Sequence, residues 1–189
     1  MPEHEVAFGF IKPDFLSDLS EIEQIIQENG LEIVYRDTVR LSEQAIDHMY
    51  QGYRDMHFYP AMKKYLLEND VIVLMVGGRG HIAQEVLSSL KKEGGKDGMI
   101  RSRFRKSRRS QEEYNLWQSG QHPDQDRVTV EVTLGNVIHT ADTPEEAVKS
   151  LQIILGPRFE IMRKKGNLPA ELWDLFGEAP PAPEPQVGI

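Results

Sequence analysis

Cysteine is absent from all 189 residues, which excludes disulfides, thiolate metal sites and a cysteine nucleophile. No apolar run approaches the ~18 residues of a membrane-spanning helix. Positive charge is in the minority: 22 Lys and Arg stand against 30 Asp and Glu, for a formal net charge of −8. General attraction to nucleic acid or to an anionic membrane is therefore not expected, and any anion-binding site must be a local basic cluster. Residues 1–5 are polar and acidic and do not read as a secretory signal, so the expected location is cytoplasmic. What is present is an ordinary soluble composition, 39% hydrophobic and 28% charged, and a length sufficient for one domain with a real core.

Hydrophobic periodicity divides the chain into elements. Val6 to Ile11 is an apolar run closed by the turn Lys12-Pro13-Asp14, which predicts a strand. Leu19, Ile22, Ile25 and Ile26 recur at helical spacing, and Asn29-Gly30 ends that helix. Residues 31–41, around Ile33, Val34 and Val39, read as a second strand. Ser42 caps a short helix carrying Ala45, Ile46, Met49 and Tyr50, and Pro60 falls in the first turn of another. Residues 71–76 form an almost unbroken apolar run, a buried strand, followed by a helix marked by Val86, Leu87 and Leu90. Residues 94–126 show little apolar periodicity. Val128, Val130 and Val132 alternate with Thr129, Glu131 and Thr133, predicting a strand, and residues 137–139 read as a shorter one. Thr143-Pro144-Glu145-Glu146 starts a helix, with a cap, a first-turn proline and acidic partners for the dipole; Gly156-Pro157 stops it. The order is βαββαβ, the split βαβ arrangement of the α/β (α+β) class. The expected organisation is a domain over 1–156 with an insert at about 105–132, a helical extension over 157–178 with a short helix near 170–176, and a proline-rich mobile tail over 179–189.

Two short segments carry the chemistry. Asn136-Val137-Ile138-His139-Thr140-Ala141-Asp142 puts a histidine at the end of an apolar run just before a helix start, where it can serve as nucleophile or proton carrier. Ile11-Lys12-Pro13-Asp14 puts a lysine at a strand end, placed to meet phosphate. Taken singly, each has an ordinary explanation. His139 could be a core histidine, Lys12 a turn lysine, Tyr50, Phe58 and Tyr59 core aromatics, and Arg101 a surface charge. Together with Tyr50, Phe58-Tyr59 and Gly98-Met99-Ile100-Arg101 with Phe104, in this order and approximate spacing, they make the chain resemble nucleoside diphosphate kinases from about Val6 to Leu155.

The resemblance implies a ferredoxin-like fold: a four-stranded antiparallel sheet flanked by helices. It also implies reversible transfer of a terminal phosphate between nucleoside tri- and diphosphates, Mg2+ carried on the nucleotide phosphates, and a homo-oligomer, hexamer or tetramer. His139 would carry the phosphate, giving ping-pong kinetics. Lys12 and Arg101 would neutralise phosphate charge. Asn136 is similar to the family's sugar-contacting asparagine, Phe58 to the aromatic on which the base stacks, and Tyr50 to a tyrosine lining the histidine and phosphate.

The chain departs from that pattern at several positions. Leu87 stands where the family has a phosphate-gripping arginine. Glu93 aligns with a phosphate-binding threonine. Ala141 replaces a serine after the nucleophile. Ser150 falls where a glutamate orients the histidine ring; it could accept a hydrogen bond from the imidazole but supplies no negative charge. Each lost charged contact removes on the order of 2–4 kcal/mol of transition-state stabilisation. The insert opens with a basic run, so one of Arg103, Arg105, Arg108 or Arg109 is expected to replace the missing arginine, unless the run is a surface for a partner or another subunit. Tyr114, Leu116 and Trp117 favour a packed element there. The alternative to a phosphotransferase is a nucleotide-binding protein of the same fold with weak or no transfer, acting as a regulatory or assembly module. A nucleic-acid role is disfavoured by the acidic total.

Overall fold

The computed structural model describes residues 4–79, 83–93, 96–104, 110–134 and 136–164. The chain runs β1 (His4–Ile11), a 3-10 turn, α1 (Leu19–Glu28), β2 (Glu32–Val39), α2 (Glu43–Met49), α3 (Tyr59–Glu68), β3 (Val71–Arg79), α4 (Ala83–Lys91), a two-residue hairpin of β4 (Lys92–Glu93) and β5 (Lys96–Asp97), then α5 (Met99–Phe104), α6 (Gln111–Gln118), α7 (Gln125–Leu134), β6 (Ile138–Thr140), α8 (Pro144–Leu155) and α9 (Pro157–Lys164). The expected helix near 170–176 and the tail lie outside the described residues.

β2, β3, β1 and β6 lie side by side in one sheet. Each neighbouring pair is antiparallel, which is the ferredoxin-like arrangement. Strand alternation builds two cores. Val6, Phe8, Phe10, Val73 and Met75 face α2, α3 and α8, while Ala7, Ile11, Ile72, Leu74 and Val76 face α1, α4 and α5. Because both faces are covered, β1 and β3 read as continuous apolar runs. The helix starts are held as their sequences imply: Ser42 Oγ accepts from Ala45 N, and Thr143 Oγ1 accepts from Glu146 N.

The strand expected from the Val128–Thr133 alternation is instead the helix α7. Val128 and Val132, four apart, fall on one helical face and pack with Phe58, Met56 and Trp117. Thr129 beside them receives the indole N–H of Trp117 at 2.9 Å. Burial on that cluster outweighs the preference of β-branched residues for strands. The edge of the sheet next to β1 is taken by β6 instead. Within the insert, α6 is held at its start by a reciprocal Ser110–Glu113 capping box, and its Trp117 docks α6 and α7 on Phe58.

Candidate functional site

His139 lies at the middle of β6, directly opposite Phe10 of β1. The two rings stack with centroids 5.0 Å apart at 24°. Tyr50, at the end of α2, closes the other side at 4.9 Å and 47°. The imidazole is thus walled by two aromatics. β6 approaches β1 so closely at Gly9 that a Cβ there would lie 2.7 Å from the His139 carbonyl oxygen, so glycine is required at this position. Lys12 leaves the end of β1 and its backbone N–H donates to Val137 O at 2.9 Å. Val137 has φ +38°, the sole positive φ among described non-glycine residues. For a β-branched residue that conformation stores strain, and it sits between Asn136 and the strand that carries His139.

Burial lowers the His139 pKa well below its ordinary value, and the nearby cations Lys91, Lys12 and Arg101 lower it further. The ring is therefore neutral at pH 7, the form that can attack phosphorus. Lys12 is 3% exposed. Burial first, then Arg101 and Lys91, bring its pKa down to about 7. Burial raises the Tyr50 pKa, so its phenol keeps its proton. Its buried hydroxyl has no hydrogen-bond partner among the described residues. An arriving phosphate would meet a poised lysine, a phenolic donor and a neutral imidazole.

Lys91 is the site cation that the motifs did not point to. It ends α4, on the face that carries Gln84 and Ser88 (positions 84, 88 and 91 align on a helix). That face abuts the loop after His139: Gln84 Nε2 donates to Ala141 O at 2.5 Å and Gln84 Oε1 accepts from Phe8 N at 3.2 Å. Burial lowers the Lys91 pKa, as does Arg101, while Asp142 and Glu146 raise it. Its helical register is the signal that could have found it. By the same register Leu87 points elsewhere: it is fully buried in the α1–α4 core. Leu87, expected to stand in the place of the family's arginine, thus points into the core, while Ser88, one residue on, faces the site loop.

α5 reaches the site because Gly98 lets it abut the end of α4, where an added Cβ would meet Ser89 O at 2.1 Å. This brings Arg101 within electrostatic reach of Lys12 and His139. Of the arginines expected to compensate, Arg103 pairs with Glu21 of α1 at 2.7 Å on the surface. Arg105, Arg108 and Arg109 lie outside the described residues, as does the Glu93 side chain. Ser150 on α8 is buried, but neither its Oγ nor His139 Nε2 has a hydrogen-bond partner among the described residues. The expected bond between them is not formed. Ala141 is also buried, its N–H donating to Phe8 O at 3.1 Å.

A cavity of about 180 Å³ joins these residues to the insert: Lys12, Tyr50 and Asn136 line it together with Tyr53, Phe58, Tyr114 and Trp117. Phe58, expected as an open platform for a base, is 6% exposed and stacks on Trp117.

A family model described as nucleoside diphosphate kinase matches residues 5–159. The nucleoside diphosphate kinase of Oleidesulfovibrio alaskensis is 25% identical over 104 residues, 53% of this chain and 75% of the relative. That of a Methylobacterium species is 28% identical over 104 residues, 53% of this chain and 74% of the relative. The solved structure of the Aquifex aeolicus nucleoside diphosphate kinase is similar in fold, with a TM-score of 0.51 at 17% identity, covering 80% of this chain and 94% of that one.

Proposed function

The chain belongs to the nucleoside diphosphate kinase family, and we propose that it moves the γ-phosphate of a nucleoside triphosphate to a nucleoside diphosphate through a phosphohistidine at His139. The observation that carries this reading is the neutral imidazole held between Phe10 and Tyr50 with Lys91, Lys12 and Arg101 around it. A ring nitrogen of His139 forms the N–P bond as the bond from the γ-phosphorus to the β,γ-bridging oxygen breaks, and the nucleoside diphosphate leaves. The terminal phosphate oxygen of a second diphosphate then attacks the phosphohistidine, and the nitrogen recovers its lone pair. Lys12, Lys91 and Arg101 offset charge on the phosphate oxygens. Tyr50 can donate to one of them.

Magnesium enters with the nucleotide, as part of the substrate. Among the described residues no group of three or more His, Asp or Glu side chains could hold a metal by itself. A homo-oligomer and a cytoplasmic location are part of the same reading; no described helix is long and apolar enough to cross a membrane.

Incubation with γ-labelled ATP tests the transfer step. An acid-labile, alkali-stable label that disappears in His139→Ala supports it, whereas saturable nucleotide binding with no label overturns it. The second outcome favours a nucleotide-binding module with weak or no transfer. One feature supports that second reading: no carboxylate backs the imidazole at Ser150, so imidazolium-like charge in the transition state goes unanswered there.

A further inference from the structure

Phe58 lines the cavity but shows it little of its ring: it is only 6% exposed. Trp117 stacks on it at 4.8 Å and 28°, Tyr53 leans on it at 5.9 Å and 50°, and His57 meets its edge at 5.5 Å and 87°. Two rings in stacking contact leave no room for a third between them. The contact with Trp117 is fixed, because Trp117 is itself buried and its N–H is bonded to buried Thr129 of α7. A planar base cannot stack on the Phe58 face that Trp117 covers while α6 and α7 are docked.

The cavity nevertheless continues past Phe58. Its inner end, at Lys12 and Tyr50, is buried, while Tyr53, Tyr114 and Gln118 form an exposed mouth. Tyr53 is 49% exposed and Tyr114 is 37% exposed, two of the few large apolar side chains among the described residues left so open. Tyr53 precedes α3 and Tyr114 comes from the insert, so two separate segments each bring a ring to one opening. Exposed aromatics at a cavity mouth mark a binding surface, and tyrosine offers a rigid flat face to any base.

We propose that the nucleobase of a nucleoside di- or triphosphate is held at this mouth, against Tyr53 and Tyr114, and not on Phe58. A ligand whose phosphates lie at Lys12 must extend along this cavity, and the mouth is where its other end emerges. The Gln118 amide lies at the same opening, within the set of groups that can meet a base edge. The inference rests on the reading above that phosphates occupy the Lys12–His139 end.

Calorimetric titration of the full chain with Mg·ATP and with base-free Mg·tripolyphosphate tests it, using wild type, Tyr53→Ala/Tyr114→Ala and Tyr53→Phe/Tyr114→Phe. Both side chains are exposed, so circular dichroism should show the alanine pair folded. The expected result is an affinity for ATP at least tenfold weaker in the alanine pair, with tripolyphosphate affinity unchanged and the phenylalanine pair near wild type. Unchanged ATP affinity in the alanine pair overturns the inference. So does an equal loss for both ligands, which would place the tyrosines in support of the phosphate end. Wild-type protein that binds ATP no better than tripolyphosphate overturns the base site alone, whereas wild-type protein that binds neither overturns the phosphotransfer reading with it.

Discussion

Phe10 and His139 stand opposite one another across the β1–β6 ladder, their rings stacked with centroids 5.0 Å apart. A directly opposed pair on neighbouring strands is fixed by backbone register, so the imidazole's orientation is set by the sheet itself. Phe10→Leu should free the ring to rotate. The expected outcome is phosphohistidine formation slowed about tenfold and stability lowered by about 1–3 kcal/mol. Rapid-quench labelling and chemical denaturation measure the two separately; labelling at the wild-type rate would show that the stack does not position the nucleophile.

Gly9→Ala should act on the same ladder from the backbone side. Its Cβ would lie 2.7 Å from the His139 carbonyl oxygen, so β6 must move outward. Overpacking of this kind costs about 1–3 kcal/mol, and the displaced histidine should label more slowly than the loss of folded protein explains. A variant as stable and as active as wild type would mean that β6 yields without consequence.

Ser150→Ala should be harmless or favourable. The Ser150 hydroxyl is buried and unbonded among the described residues, and relieving an unsatisfied polar group is worth about 1 kcal/mol or more. Melting temperature should rise or hold, and phosphohistidine formation should be unchanged. A large rate loss would show that this hydroxyl orients the imidazole during turnover.

Most of the framework was legible in the sequence. β1, β2, β3, α1 and α8 announce themselves by apolar runs, by helical spacing and by caps such as Ser42 and Thr143. His139, Lys12, Tyr50 and Arg101 converge as their motif order implies. Two things were not legible. The Val128–Val132 alternation fits both a strand and a helical face, and only the position of Trp117 and Phe58 decides between them. The rotation of α4 against the sheet, which fixes Leu87 in the core and turns Ser88 toward the Ala141 carbonyl, depends on packing that its own residues do not reveal.

Lys91→Gln should matter, although no motif singles the residue out. Removing one cation beside His139 is expected to slow labelling about a hundredfold if phosphate is transferred there. It should also raise the His139 pKa, since Lys91 is the largest electrostatic contributor to its depression. NMR titration of the His139 ring checks the second effect; a ring that titrates as in wild type would place Lys91 outside the site's field.

The pH profile follows from Lys12, whose pKa is lowered to about 7. Below that value the side chain is an ammonium and above it an amine, so the charge proposed to hold phosphate is lost as pH rises. kcat/KM reports the free protein and should fall toward tenfold per unit above about pH 7. His139, with its pKa lowered, stays neutral throughout and adds no limb there. Lys12→Arg keeps its charge at all these values and should abolish the alkaline fall, even at a reduced rate. A wild-type profile flat to pH 9 would show that Lys12 keeps its charge there and that burial does not bring its pKa down to about 7.

Gln84 joins two distant stretches of backbone, accepting from Phe8 N and donating to Ala141 O. The strand between them and the outside of the sheet is only three residues long. His139 consequently rides on the shortest strand of the four-stranded sheet, joined on one side to β1 and braced at its end by the Gln84 amide. Local opening of that strand can come and go while the rest of the sheet stays shut, so His139 can leave its place transiently without the protein unfolding.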